Sequence, residues 1–382
     1  MNKKKILTII LIILFIGFVA ERINTNKSNV YEEQNKNSIK KNKNMLSMNL
    51  EQTAGAGDYK TVTQSGWPTK GYKFNTELSR CENGSEISWD DTKKAVIMQG
   101  NVSDKCYVYF DIYQPTLAEY TKSQYTGTQG DNALYYHNST LTNGAGDNSY
   151  RYAGASESVN NYICLGSDEA TCPDANLFRI IGVFGAQTKV IRAKSVGNKQ
   201  WHNTSADNTW SSSSLNAYLN GEYLTSLGTL ADKIATTIWK VGGGLWANIA
   251  TSVPKTAYQY EVGSSASTTT VDKKIGLMYV SDYYYSASPS AWTLVGYNES
   301  DDATKDYRAA TSTNWLYLGS YEWTISRNSD FTRFAFCVPS TGYVNYSNTL
   351  SGSYGVRPSF NLESTVKYVS GSGTIENPIR IN

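Results

Sequence analysis

The chain has 382 residues, of which 40% are hydrophobic and only 18% charged, with 29 Tyr and 9 Trp. That length suits two or three domains with a substantial core. The net charge of +2 resides in a tail, because residues 1–44 hold nine Lys or Arg and three Glu, a local +6 that leaves −4 for the rest. The body has no basic stripe, which excludes a nucleic-acid partner, since phosphate binding needs clustered cations.

The opening residues, MNKKKILTIILIILFIGFVAER, join three lysines to an apolar run from Ile6 to Ala20, interrupted by Thr8 and Gly17. At about 1.5 Å per residue this run reaches about 22 Å, against a hydrocarbon core of about 30 Å. That is the length of a signal-peptide core or a short uncleaved anchor. A cut after Ala20 would place Phe18 where cleavage wants a small residue. The expectation is therefore a signal-anchor helix over 1–20 that enters the lipid membrane with its lysines inside and leaves an extracellular body at the cell membrane. Residues 21–54, rich in Asn, Lys, Glu and Ser, read as a polar stalk.

Residues 55–113 alternate apolar and polar positions between Asn-Gly and Asp-Asp turns, the pattern of short antiparallel strands. A small β domain is expected there, with Trp89, Val96, Tyr107, Tyr109 and Phe110 as its core. Residues 114–156 read as a helix, PTLAEYTKSQYT, followed by a flexible Gly-, Asn- and Ser-rich connector. From 157 to 382 the order is strands, helices, strands. LFRIIGVF and TKVIRAKSV form a strand pair turning at Gly185, and WSSSSLNAYLNGEYLTSL forms an amphipathic helix capped by a serine at 212–214. KIGLMYVS, EWTISR, RFAFCVPSTGYVNY and YGVRPSFNL return to strands, so the fold class is α+β.

Five cysteines suit an oxidising compartment. The economical pairing is Cys81 with Cys106 and Cys164 with Cys172, leaving Cys337 over; the alternative is buried free thiols. The two bridges would contribute roughly 3.5 and roughly 2.5 kcal/mol.

Catalytic motifs are absent: there is no Gly-x-Ser-x-Gly, His-Glu-x-x-His, phosphate-binding glycine loop or twin Cys-x-x-Cys. Both histidines, His137 and His202, lie in polar stretches that read as surface loops. Asp168, Glu169, Asp282, Asp301 and Asp302 are the carboxylates from which a glycosidase-like pair would be drawn. Adjacent Asp301 and Asp302 also make calcium a weakly supported ligand; no other metal or cofactor is suggested. The stronger signal is three aromatic stretches with small polar spacers, at 281–298, 312–328 and 340–355. Tyr and Trp give contact area at low entropic cost while Ser, Asn and Gly adapt, the chemistry of a recognition surface. The candidate ligand-binding residues are Tyr284, Trp292, Trp315, Trp323, Tyr343 and Tyr346.

From Tyr162 onward, NNYICLGSDEATCPDANLFRIIGVF, WSSSSLNAYLNGEYL, YGVRPSFNL and GSGTIENPIRI together resemble a domain family of bacterial surface proteins. That family is similar to FISUMP-type domains and, more distantly, to the C-type lectin-like fold of formylglycine-generating enzymes. The resemblance implies a lectin-like domain preceded by the small β unit. It also implies that Arg357 is structural, satisfied by backbone carbonyls or a buried carboxylate. The calcium-dependent sugar tripeptides of C-type lectins are absent, and Cys337 lacks the neighbouring cysteine that the enzymes use. The expected function is recognition of a cell-surface glycan or protein through aromatic loops. The alternatives are an extracellular carboxylate-dependent enzyme and a structural spacer.

Overall fold

The computed structural model describes residues 46–382 apart from positions 64, 69, 70 and 102. The expected signal-anchor and most of the stalk lie outside the described residues. Among the described residues no helix is long and apolar enough to cross a membrane. The chain divides into two compact units, one ending at Gln114 and one spanning Pro115–Asn382. The whole is mixed α and β, mostly sheet with few helices.

The first unit contains strands β1 (Leu46–Glu51), β2 (Tyr59–Val62), β3 (Tyr72–Phe74), β4 (Arg80–Cys81), β5 (Glu86–Asp90), β6 (Ala95–Gln99) and β7 (Cys106–Ile112). β5 and β6 form a hairpin; the others make one sheet in the order β2-β1-β7-β3, with β4 on β7. The stalk boundary needs correction, because β1 is part of this sheet and pairs parallel to β7. The cause is visible in LSMNLE: a period of two sends Met48 and Leu50 inward, against Phe74, Val108 and Phe110. Trp89 and Val96 pack on that core as expected. Tyr107 and Tyr109 do not, since in Cys106–Ile112 only alternate residues face inward. Tyr109 instead meets Tyr59 edge-on at 5.0 Å. Cys81 is bonded to Cys106.

The second unit opens with the expected helix, Leu117–Ser123, started by a capping box between Thr116 and Glu119. The segment expected to be a connector is instead part of the core. It forms β8 (Leu134–Tyr136) and β9 (Tyr150–Tyr152), which extend the main sheet, and it buries Leu134, His137, Arg151 and Tyr152. Its polar composition concealed this because Arg151 is satisfied internally, by Asp147 at 2.6 Å and Ser149 at 2.8 Å.

The main sheet also contains β10 (Tyr162–Cys164), β11 (Leu177–Phe184), β12 (Gln187–Arg192), β16 (Ile275–Gly276) and β21 (Ser359–Leu362). Its order is β16-β21-β12-β11-β9-β8, with β10 on β11. The β11–β12 hairpin turns at Gly185, as its sequence predicts. A second sheet runs β13 (Asn198–Gln200), β20 (Ser353–Gly355), β17 (Glu322–Arg327), β18 (Phe334–Val338), β19 (Asn345–Asn348). A separate ribbon pairs β14 (Thr237–Lys240) with β15 (Thr270–Lys273). The serine-rich helix is present, with Ser213 as its cap, but Gly221 lies within a π turn, Leu219–Tyr223. A large apolar core and a smaller cluster of Ala145, Ala153, Tyr285 and Trp292 hold the unit together, and Cys164 is bonded to Cys172.

Candidate functional site

Four of the six expected ligand-binding rings are buried. Tyr284 and Trp323 are 0% exposed, Trp292 is 1% and Trp315 is 2%, so none can meet a ligand at the surface. Their polar atoms are used inside: Trp292 Nε1 donates to Ala287 O, Trp315 Nε1 to Tyr152 O, Trp323 Nε1 to Lys199 O and Tyr284 Oη to Ile249 O. Tyr and Trp enter a core once the N–H or O–H finds an acceptor. The stretches that read as aromatic loops are largely core for that reason.

Tyr343 and Tyr346 remain half-buried at the surface, and the fold adds partners to them from elsewhere. Six rings follow one another in contact: Phe331 to Phe334 at 6.0 Å, Phe334 to Tyr346 at 4.9 Å, Tyr346 to Trp246 at 5.1 Å, Trp246 to Tyr297 at 5.8 Å and Tyr297 to Tyr343 at 5.1 Å. The β18–β19 hairpin supplies Phe334, Tyr343 and Tyr346. Trp246 opens the short helix Trp246–Ile249, and its backbone N–H donates to Asp330 at 2.8 Å. The approach to Trp246 depends on Gly243, at φ +64°, where a Cβ would lie 1.9 Å from Arg327 O.

Polar groups border the rings. Trp246 Nε1 donates to Glu299 at 3.3 Å, and Asn345 Nδ2 donates to Tyr343 Oη at 3.4 Å. The Arg308 guanidinium lies 5.7 Å from the Tyr297 ring and 5.4 Å from the Tyr343 ring, fixed by Asp306 and Asp301. Phe331 is 53% exposed. Trp246 is a lone ring in its own stretch and Tyr297 lies at the end of the 281–298 stretch; neither was singled out from the sequence, because only tertiary structure assembles them with the hairpin.

Arg357 is buried. Its Nε donates to Glu322 Oε1 at 2.5 Å, and its Nη2 donates to Glu322 Oε2 at 2.7 Å and to Leu316 O at 2.6 Å. Another buried arginine, Arg179 on β11, donates to Asn161 and to the Val159 carbonyl, and lies between the rings of Tyr162 and Trp315. Burial brings its guanidinium down to about 10, aided by the neighbouring charge of Arg357.

The histidines are not surface residues: His137 is 0% exposed and His202 8%. His137 Nδ1 accepts from Ala145 N–H, and its ring meets Tyr285 and Trp292. Burial, then the Arg151 charge, holds its pKa well below the ordinary value.

The candidate carboxylates separate. Asp282 is buried against Lys189 and Arg151. Asp301 pairs with Arg308, and Asp302 with Lys305 and Thr304. Asp168 and Glu169 line a cleft of about 570 Å³ that also contains Lys233, Glu376 and Arg380. Among the described residues, no group of three or more His, Cys, Asp or Glu could hold a metal ion. Cys337 is a buried free thiol.

A family model described as Domain of unknown function (DUF6273) matches residues 186–364. The matched stretch holds the six rings, the Glu322–Arg357 pair and the Lys189–Asp282 pair. No curated protein and no solved structure matches the chain.

Proposed function

We propose that the second unit is an extracellular recognition domain, held at the cell membrane by the N-terminal apolar segment, which binds a cell-surface glycan or protein through its connected aromatic surface. The observation that carries this reading is the run of rings from Phe331 to Tyr343, partly open to solvent and bordered by Asn345, Glu299 and Arg308. Sugar rings stack their apolar faces on aromatic rings while their hydroxyls seek such polar neighbours, so a glycan is the better-supported partner. The lectin-like resemblance agrees with this reading and forms part of the proposal.

The test is a glycan-array and surface-protein screen of the full chain with oxidised cysteines, with and without calcium. Trp246→Ala and Tyr343→Ala serve as site variants. A specific hit lost in both folded variants supports the reading; a hit that survives both places recognition elsewhere. A hit on proteins alone would make the partner a protein. The enzyme alternative has one observation in its favour, the cleft containing Asp168, Glu169 and Glu376. It would be supported by polymer hydrolysis that disappears in Asp168→Asn or Glu169→Gln.

A further inference from the structure

Lys189 on β12 and Asp282 in the helix Val280–Tyr285 face each other across the interior of the second unit. Lys189 Nζ lies 2.5 Å from Asp282 Oδ2, with the side chains 7% and 3% exposed. Three rings surround the nitrogen: Tyr279 at 4.6 Å, Trp239 at 5.4 Å and Phe184 at 5.8 Å. On the carboxylate side, the Tyr279 N–H donates to Oδ2 at 2.8 Å and Arg151 Nη1 is 3.9 Å from Oδ1. A second buried carboxylate, Glu261, accepts from the Val280 and Ser281 N–H groups at the start of the same helix and from Ser326 Oγ.

We propose that Lys189 and Asp282 are a covalent modification site, where an amide bond forms spontaneously between Lys189 Nζ and Asp282 Cγ and ties β12 to the helix Val280–Tyr285. The N–Cγ bond forms and one Cγ–O bond breaks. Two of the three ammonium protons leave with that oxygen as water. Atoms and charge balance, and the step needs no oxidant, reductant or co-reactant.

The surroundings supply what this condensation requires. A nitrogen–oxygen contact of 2.5 Å holds the nucleophile against the carboxyl group it would attack, the proximity that makes an intramolecular reaction fast. Burial, reinforced by the Arg151 charge, lowers the Lys189 ammonium and favours the neutral amine, although the Asp282 carboxylate opposes it. The Tyr279 N–H is a donor, and the Arg151 guanidinium at 3.9 Å a nearby positive charge, for the negative charge that develops on the carboxyl oxygens. Glu261 is raised by burial, so it holds a proton more readily than an ordinary carboxyl, and its charge reaches Lys189. The ring cage excludes the water that hydrolysis would need. As an ion pair alone this contact would contribute little, because desolvating two charges cancels most of their attraction.

The test uses the full chain, reduced and denatured, with intact mass followed by digestion and peptide mass spectrometry. The wild-type chain should lack the mass of one water, and digestion should give a branched peptide joining the Lys189 and Asp282 segments. Asp282→Ala should give separate linear peptides with no such deficit. Wild-type protein in which Lys189 and Asp282 are recovered only on separate linear peptides after prolonged incubation would overturn the proposal. This result is readable whether or not a variant folds.

Discussion

Glu322 and Arg357 meet through two parallel hydrogen bonds, Nε to Oε1 at 2.5 Å and Nη2 to Oε2 at 2.7 Å, with 2% and 1% of their side chains exposed. Removing one partner leaves the other buried and unpaired, so Arg357→Ala or Glu322→Ala should cost about 3–5 kcal/mol. Arg357→Lys should not rescue stability, because an ammonium cannot reproduce the fork. Urea denaturation of the three variants checks this; a midpoint equal to wild type would contradict it.

Trp292→Ala, Trp315→Ala and Trp323→Ala should each destabilise the second unit by about 3–5 kcal/mol, the range for truncating a buried aromatic. Phe331→Ser, at a ring 53% exposed, should leave the melting temperature within about a degree of wild type, since surface changes rarely exceed about 0.5 kcal/mol. Thermal melts of these four proteins separate the core rings from the surface rings.

Acid should loosen the second unit. The unfolded chain protonates a histidine near about 6.5, while folded His137, lowered first by burial and then by Arg151, stays neutral to a much lower pH. The unfolded state therefore binds the extra proton, and stability falls as pH drops through about 6.5 toward the folded value. Asp147 adds to the loss below about 4. Burial alone would raise its carboxyl, but the Arg151 charge and the Ser149 hydroxyl and N–H hold it well below the ordinary range. Melting temperatures between pH 7 and pH 5 should decline. His137→Asn, which keeps an acceptor near the Ala145 N–H, should flatten that decline.

Cys337 should be silent to thiol reagents in the folded protein, because burial pushes its thiol far above the ordinary value. Unfolding without reductant should release one reactive thiol. Reducing both bridges should release five and cost about 3.5 kcal/mol for Cys81–Cys106 and about 2.5 kcal/mol for Cys164–Cys172. A second reactive thiol in unreduced, unfolded protein would contradict the Cys81–Cys106 or Cys164–Cys172 pairing.

The legible parts of this chain were those written in local pattern. The β11–β12 hairpin shows its turn at Gly185, the Leu117–Ser123 helix shows its capping box, and the two disulfides follow the simplest spacing. The buried role of Arg357 was legible through a motif, though Glu322 as its partner was not. What escaped was polarity satisfied at a distance. Arg151, Asp147 and His137 form a network inside text that looks like a linker, and Trp315 and Trp323 find backbone acceptors, Tyr152 O and Lys199 O, far along the chain. The surface aromatic site suffered the same limitation: Trp246 and Tyr346 are 100 positions apart, and neither local pattern refers to the other.

The parallel pairing of β1 with β7 has a mechanical consequence. The first strand of the unit enters at its N-terminal end and the last leaves at its C-terminal end, with Leu46 beside Cys106 and Leu50 beside Phe110. A pull between those two ends slides the strands along each other, loading the rungs of the ladder together rather than peeling them one at a time. A chain tethered by its N-terminus would thus hold its first unit by shear, the geometry in which a short sheet bears the most force.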